Sequence, residues 1–140
     1  MSKLIIFTDG GSRGNPGPAA CGAVIKNEAG KIILKSSKYI GKATNNQAEY
    51  EALILVLEKV KEINKSKQTK VNIDCFLDSE LVVKQLNREY KMKNEGLKPL
   101  FIKVNNLISE FNSVKFFHIP REKNKLADKL VNQELDAQIK

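Results

Sequence analysis

Tryptophan is absent from this chain, histidine occurs once and cysteine twice. A lone histidine excludes a site built on paired imidazoles. Cys21 and Cys75 stand apart with no metal-ligand spacing, so neither thiolates nor imidazoles offer a zinc pattern. Both are expected to be reduced core residues. No apolar run approaches the ~18 residues of a membrane-spanning helix, so no membrane partner is expected. The start, Met1-Ser2-Lys3-Leu4-Ile5-Ile6-Phe7, is too short for a secretory signal and meets a charged turn too soon. A cytoplasmic monomer is expected. There is no internal repeat, low-complexity tract or linker. Residues 1–140 therefore read as one domain with a sizeable core.

What the chain does have is positive charge. Lys and Arg number 24 against 16 Asp and Glu, a net charge of +8. That balance favours a polyanionic partner such as nucleic acid. The lysines are scattered, so charge alone does not identify the partner.

One stretch organises the rest: Thr8-Asp9-Gly10-Gly11-Ser12-Arg13-Gly14-Asn15-Pro16-Gly17-Pro18. An apolar run over 4–7 delivers a carboxylate, and glycines follow. Period-two alternation puts Ile5, Phe7 and Asp9 on one face of a strand over 3–9. With Ile5 and Phe7 read as core, Asp9 is expected on the core side. Gly10, Gly11 and Gly14 allow a tight bend or close approach to a ligand. Taken alone, the stretch is equally an ordinary strand-to-turn junction.

Further strands read over 20–26 and 31–39, joined by the turn Asn27-Glu28-Ala29-Gly30 as an antiparallel hairpin. A helix starts at Thr44-Asn45-Asn46-Gln47-Ala48-Glu49, capped by Thr44 or Asn45. Ala52, Leu53, Val56, Leu57, Val60 and Ile63 form its expected buried stripe, with Tyr50 and Glu51 on the exposed side. Glu49 falls on the apolar face. A carboxylate there is costly unless paired or bound to a cation, although a first-turn Glu also suits the helix dipole. After a basic connector over 64–70, strand 71–77 ends at Asp78, and a helix over 79–87 follows. A helix between strands three and four lets strand four lie parallel to strand one. Residues 88–98 read as a solvated loop, then a helix from Pro99 to about Phe111, a strand over 114–119, a loop over 120–124 and a closing helix over 125–138.

Four acids stand out: Asp9 and Asp78 at strand ends, Glu49 on an inward helix face, and Asp128 early in the last helix. In open α/β sheets, sites form at the carboxyl ends of neighbouring parallel strands. Carboxylates gathered in one cleft raise each other's pKa unless cations join them. Hard oxygen ligands suit Mg²⁺ or Mn²⁺.

The blocks TDGGSRGNPGPAACGAV, TNNQAEYEAL, DSELVVKQL and HIPREKNKLADKL resemble the four motif blocks of ribonuclease HI. They occur in that family's order and span nearly the whole chain, and all four together are highly specific. The resemblance implies a ribonuclease H-like α/β fold: a five-stranded mixed sheet, order 3-2-1-4-5, with helices on both faces. It implies a single ribonuclease H domain over 1–140 that hydrolyses the RNA strand of an RNA–DNA hybrid, leaving 5′-phosphate and 3′-hydroxyl ends. It places two metal ions on Asp9, Glu49, Asp78 and Asp128. It assigns substrate contacts to Gly11, Ser12, Arg13, Asn15, Asn45 and Asn46, and a DNA phosphate to Thr44. His118 matches a family histidine assisting proton transfer or product release, and is otherwise a strand-end histidine packed on the sheet. Arg121 is a competing candidate near the scissile phosphate, or else a surface ion-pair partner. Residues 88–98 are short and lack tryptophan, so the basic protrusion of longer family members is not expected. Two other readings stay open: a non-catalytic nucleic-acid module, or a resolvase- or transposase-like nuclease on the same fold.

Overall fold

The computed structural model describes residues 3–65 and 70–138. Part of the connector over 64–70 lies outside the described residues. Ten elements follow one another: β1 (Lys3–Ser12), β2 (Gly17–Lys26), β3 (Ile32–Ala43), α1 (Asn45–Ile63), β4 (Asn72–Leu77), α2 (Glu80–Leu86), α3 (Lys98–Ile108), β5 (Ser113–His118), a single 3₁₀ turn (Arg121–Lys123) and α4 (Lys125–Ala137). They build one five-stranded sheet in the order β3-β2-β1-β4-β5. β1, β2 and β3 form the expected antiparallel meander, and β4 and β5 add in parallel.

Pro99 stands at the start of α3, where its missing N–H is an orphan in any case. Thr44 caps α1. Its hydroxyl accepts from the Gln47 N–H at 3.1 Å, and the Gln47 side chain accepts from the Thr44 N–H at 2.8 Å. This reciprocal pair fixes the first turn of the helix that carries Glu49.

The main core lies between one sheet face and α1. Ile6, Ala23, Ile25, Ile73, Cys75 and Leu77 meet Leu53, Val56, Leu57 and Val60 there. The other face is covered over β1, β2 and β3 by α4. Two expectations about α1 need correction. Tyr50 is fully buried, and its hydroxyl donates to Gln85 Oε1 at 2.7 Å, because α2 packs over a face that helical spacing alone assigns to solvent. Ile63 is exposed, since the last turn of α1 runs past the core.

The side assigned to Asp9 is also corrected. The fully buried alternates of β1 are Ile6 and Thr8, which face α1. Ile5, Phe7 and Asp9 share the opposite, α4-covered face, and Ile5 and Phe7 are only half-buried. β1 is the central strand and is covered on both sides, so alternation gives two faces without saying which is the deeper.

β1 also runs on past the predicted end. Gly10 and Gly11 are strand residues, paired with Cys21 and Ala20. Neither makes the expected bend, and Gly10 serves helix packing instead. A Cβ on Gly10 would lie 2.2 Å from the backbone carbonyl of Ala48 and 2.5 Å from the Glu49 nitrogen. On the other face, a Cβ on Gly22 would lie 2.9 Å from the Ala127 carbonyl oxygen. One glycine lets α1 settle on β1, and the other lets α4 settle on β2.

Candidate metal centre

The parallel pairing of β1 with β4 sets Thr8 opposite Leu77, so the next residue on each strand is an aspartate. Asp9 and Asp78 therefore leave the sheet side by side. Gly10 brings the first turns of α1 against the same end of β1, and Glu49 comes with them. Carboxylate oxygens of Asp9, Glu49 and Asp78 all lie within 4.8 Å of one another. Asp9 and Glu49 are buried, and Asp78 is half-buried. Asp128, in the first turn of α4, lies outside this tight triad but bears on Asp9 through its carboxyl group and its charge.

The electrostatics follow from that crowding. Burial pushes the Asp9 carboxyl up to about 8, helped by the charges of Asp78 and Asp128 and opposed by Arg121. Burial also holds Glu49 well above the carboxylate range. Asp9 and Asp78 add to the rise, while the Gly10 N–H and Arg121 oppose it. Without a counter-cation the cluster is a set of acids that resist ionising together. Glu49 Oε1 is buried and has no hydrogen-bond partner among the described residues. A buried carboxylate with an orphaned oxygen, grouped with two further carboxylates, suits a hard divalent cation. The residues present fit Mg²⁺ or Mn²⁺.

Sequence reasoning missed one residue at this centre. Asn124 is almost fully buried, and its amide donates to the Thr8 carbonyl at 2.7 Å and to Asp78 Oδ2 at 3.3 Å. Its backbone carbonyl accepts from the Asp128 N–H at 3.1 Å. Asn124 thus ties together β1, the end of β4 and the start of α4. Asn124 reads as the last residue of the 120–124 loop, and the sequence holds no sign that its side chain turns inward. Asn124→Ala is expected to lower stability by about 1–3 kcal/mol, measured by denaturant titration, because the buried Thr8 carbonyl loses its partner.

Three comparisons with known proteins bear on this geometry. A family model described as reverse transcriptase-like matches residues 7–134. The ribonuclease HI of Halobacterium salinarum is 39% identical over 96% of this chain and 65% of its own length. A bifunctional protein of Mycobacterium tuberculosis is 39% identical over 96% of this chain, which spans only 36% of that protein. The crystal structure of LC11-RNase H1 in complex with RNA/DNA hybrid is 46% identical, covers 98% of this chain and 99% of that one, and superposes with a TM-score of 0.89. The chain belongs to the ribonuclease HI family.

Within this ribonuclease HI fold, the remaining candidates lie around the acids. The β1–β2 loop is laced to the start of α1. Ser12 N–H donates to Asn45 Oδ1 at 2.8 Å, and Asn45 N–H donates to Asn15 Oδ1 at 3.0 Å. The Ser12 hydroxyl turns back to the Gly14 carbonyl. Arg13 reaches α4 instead, pairing with Asp136 at 2.7 Å. Gly11 faces Val131 of α4. Asn46 is half-buried beside Asn45, and Thr44 is occupied as the cap of α1. His118 is exposed at the end of β5, opposite Leu77 and so one strand away from Asp78. Arg121 is exposed on the 3₁₀ turn, close enough for its charge to favour the ionised forms of Asp9 and Glu49.

Proposed function

We propose that this ribonuclease HI homologue cleaves the RNA strand of RNA–DNA hybrids endonucleolytically, leaving 5′-phosphate and 3′-hydroxyl ends, as a cytoplasmic monomer. The observation that carries the reading is the buried triad of Asp9, Glu49 and Asp78, flanked by Asp128, with an orphaned oxygen on Glu49. Asp9, Glu49, Asp78 and Asp128 would hold two divalent cations. Such cations supply an activated water and neutralise charge on the leaving 3′-oxygen.

The chain's own residues position the substrate. The laced loop Ser12–Asn15 and the Asn45-Asn46 pair offer backbone and amide groups suited to 2′-hydroxyls in a shallow minor groove, the feature that separates an RNA strand from DNA. Thr44 and the α1 N-terminus suit a phosphate of the paired DNA strand. Arg121 would offset charge on the scissile phosphate, a role supported by the pull of its charge on Asp9 and Glu49. His118, exposed at the neighbouring strand end, would move a proton toward the departing product. The likeness to LC11-RNase H1, solved with an RNA/DNA hybrid, supports the same substrate class for this chain. The free, buried Cys21 and Cys75 suit a reducing compartment.

The test is incubation with end-labelled RNA–DNA hybrid, duplex DNA and duplex RNA, each with Mg²⁺, Mn²⁺ or a chelator. Cutting confined to the RNA strand of the hybrid, and lost with the chelator, is the expected result. Equal cutting of duplex DNA would assign the chain to resolvase-like nucleases. Hybrid binding without any cutting would make it a non-catalytic module.

A further inference from the structure

The sheet face that carries Asp9 has a second feature, one layer below the acids. Phe7, Phe76 and Phe117 stand in register on β1, β4 and β5. Their rings stack in a row. The Phe7 and Phe76 centroids are 5.3 Å apart at 22°, and those of Phe76 and Phe117 are 5.2 Å apart at 24°. At the inner end of the row, the Lys26 ammonium sits 5.0 Å from the Phe7 ring centre and closes the column by a cation–π contact. The outer end is open. β5 is an edge strand, and Phe117 is 40% exposed.

A lysine stands beside this open end. Lys115 precedes Phe117 by two residues, so it stands on the same face of β5, and it is exposed. It lies opposite Asp74, whose carboxylate is already held by Lys3 at 2.8 Å. Lys115 forms no ion pair among the described residues. Lys26 and Lys123 belong to the other end of the row, where they line a recess between Phe7 and the start of α4. A phenyl face with an uncommitted ammonium beside it suits a planar π system that carries a phosphate. An apolar protein segment would gain nothing from the Lys115 charge. A base pair within a duplex could not present its flat face.

We propose that the open end of the Phe7–Phe76–Phe117 column, with Lys115, is a binding site for single-stranded nucleic acid. One unpaired base stacks on Phe117, and its phosphate lies against Lys115. Because Phe7 and Phe76 each precede an acid of the metal centre by two residues, the site lies on the flank of that centre. It is a place for an unpaired overhang beside a hybrid, distinct from the minor-groove contacts. The inference does not rest on the nuclease reading, since binding is measured without metal.

The test is fluorescence anisotropy with labelled oligo-dT and oligo-U in chelator at low salt, for wild type, Phe117→Ala, Phe117→Tyr and Lys115→Glu. Thermal melts confirm that each variant is folded. The expected results are a roughly tenfold weaker Kd for Phe117→Ala, retained binding for Phe117→Tyr, and for Lys115→Glu a shallower dependence of log Kd on log salt. An oligonucleotide with abasic sites should bind wild type and Phe117→Ala alike. Equal affinity of wild type and Phe117→Ala for oligo-dT would overturn the proposal. So would wild-type self-association that Phe117→Ala abolishes, which would assign the face to a second copy of the chain. Failure here with intact hybrid cleavage would leave the nuclease reading standing.

Discussion

Asp9→Asn should reduce cleavage of an RNA–DNA hybrid by on the order of a thousandfold or more, at least the loss seen when one preorganised electrostatic group is removed. It should do so in a protein that is folded and, without metal, more stable than wild type. Asp9 is one of two acids whose ionised forms the site opposes, with its pKa lifted to about 8 by burial and by the neighbouring carboxylates. The amide keeps the shape and removes the charge. The linkage sign follows directly. A carboxyl with a folded pKa near 8 and an ordinary unfolded value near 3.8 keeps its proton in the folded state while the unfolded state loses it. Unfolding then releases a proton between those two values, and stability falls as pH rises through that window. In chelator, the wild-type melting temperature should therefore decline from about pH 4 to about pH 8, a loss on the order of a few kcal/mol shared by the cluster. Asp9→Asn should flatten that decline. Added Mg²⁺ should raise the wild-type melting temperature most at the alkaline end and the variant's little, because a ligand that binds only the folded state stabilises it. Calorimetric melts across pH, with and without Mg²⁺, read both effects. Near-wild-type cleavage by Asp9→Asn would remove Asp9 from the metal site.

Much of this centre is legible in the order of the amino acids alone. The four motif blocks carry Asp9, Glu49, Asp78 and Asp128, and the strand order follows from the family they resemble. Glu49 is visible from helical spacing, as a charge on an apolar stripe. What stays hidden depends on which side of an element its neighbours occupy. Alternation along β1 separates Ile6 and Thr8 from Phe7 and Asp9 but does not say which helix covers which face. Tyr50 reads as exposed until α2 is placed over it. Asn124 reads as the end of a loop until its amide is found turned toward Thr8 and Asp78. The aromatic column is spread over three strands distant in sequence, and only their register lines it up.

The glycines show the same limit most sharply, and they carry the second prediction. Gly10 and Gly11 are neighbours in one strand and look interchangeable in sequence. Successive strand residues face opposite ways, so one meets α1 and the other α4. A methyl on Gly10 would have to occupy space 2.2 Å from the Ala48 carbonyl carbon and oxygen, backbone atoms that no side-chain rotation can move. A methyl on Gly11 would meet only Val131 Cγ1, at an ordinary 3.7 Å. Gly10→Ala should cost more than about 4 kcal/mol, enough to leave the chain largely unfolded or to lift α1 off β1. Gly11→Ala should be neutral or stabilising by about 0.5 kcal/mol, since alanine loses less backbone entropy in a strand. Any folded Gly10→Ala should also bind Mg²⁺ more weakly, because lifting α1 withdraws Glu49 from Asp9 and Asp78. Denaturant titration of the two variants decides the matter. If Gly10→Ala unfolds at the same midpoint as Gly11→Ala, then α1 does not rest on β1 as described, and Glu49 loses its reason to stand beside Asp9.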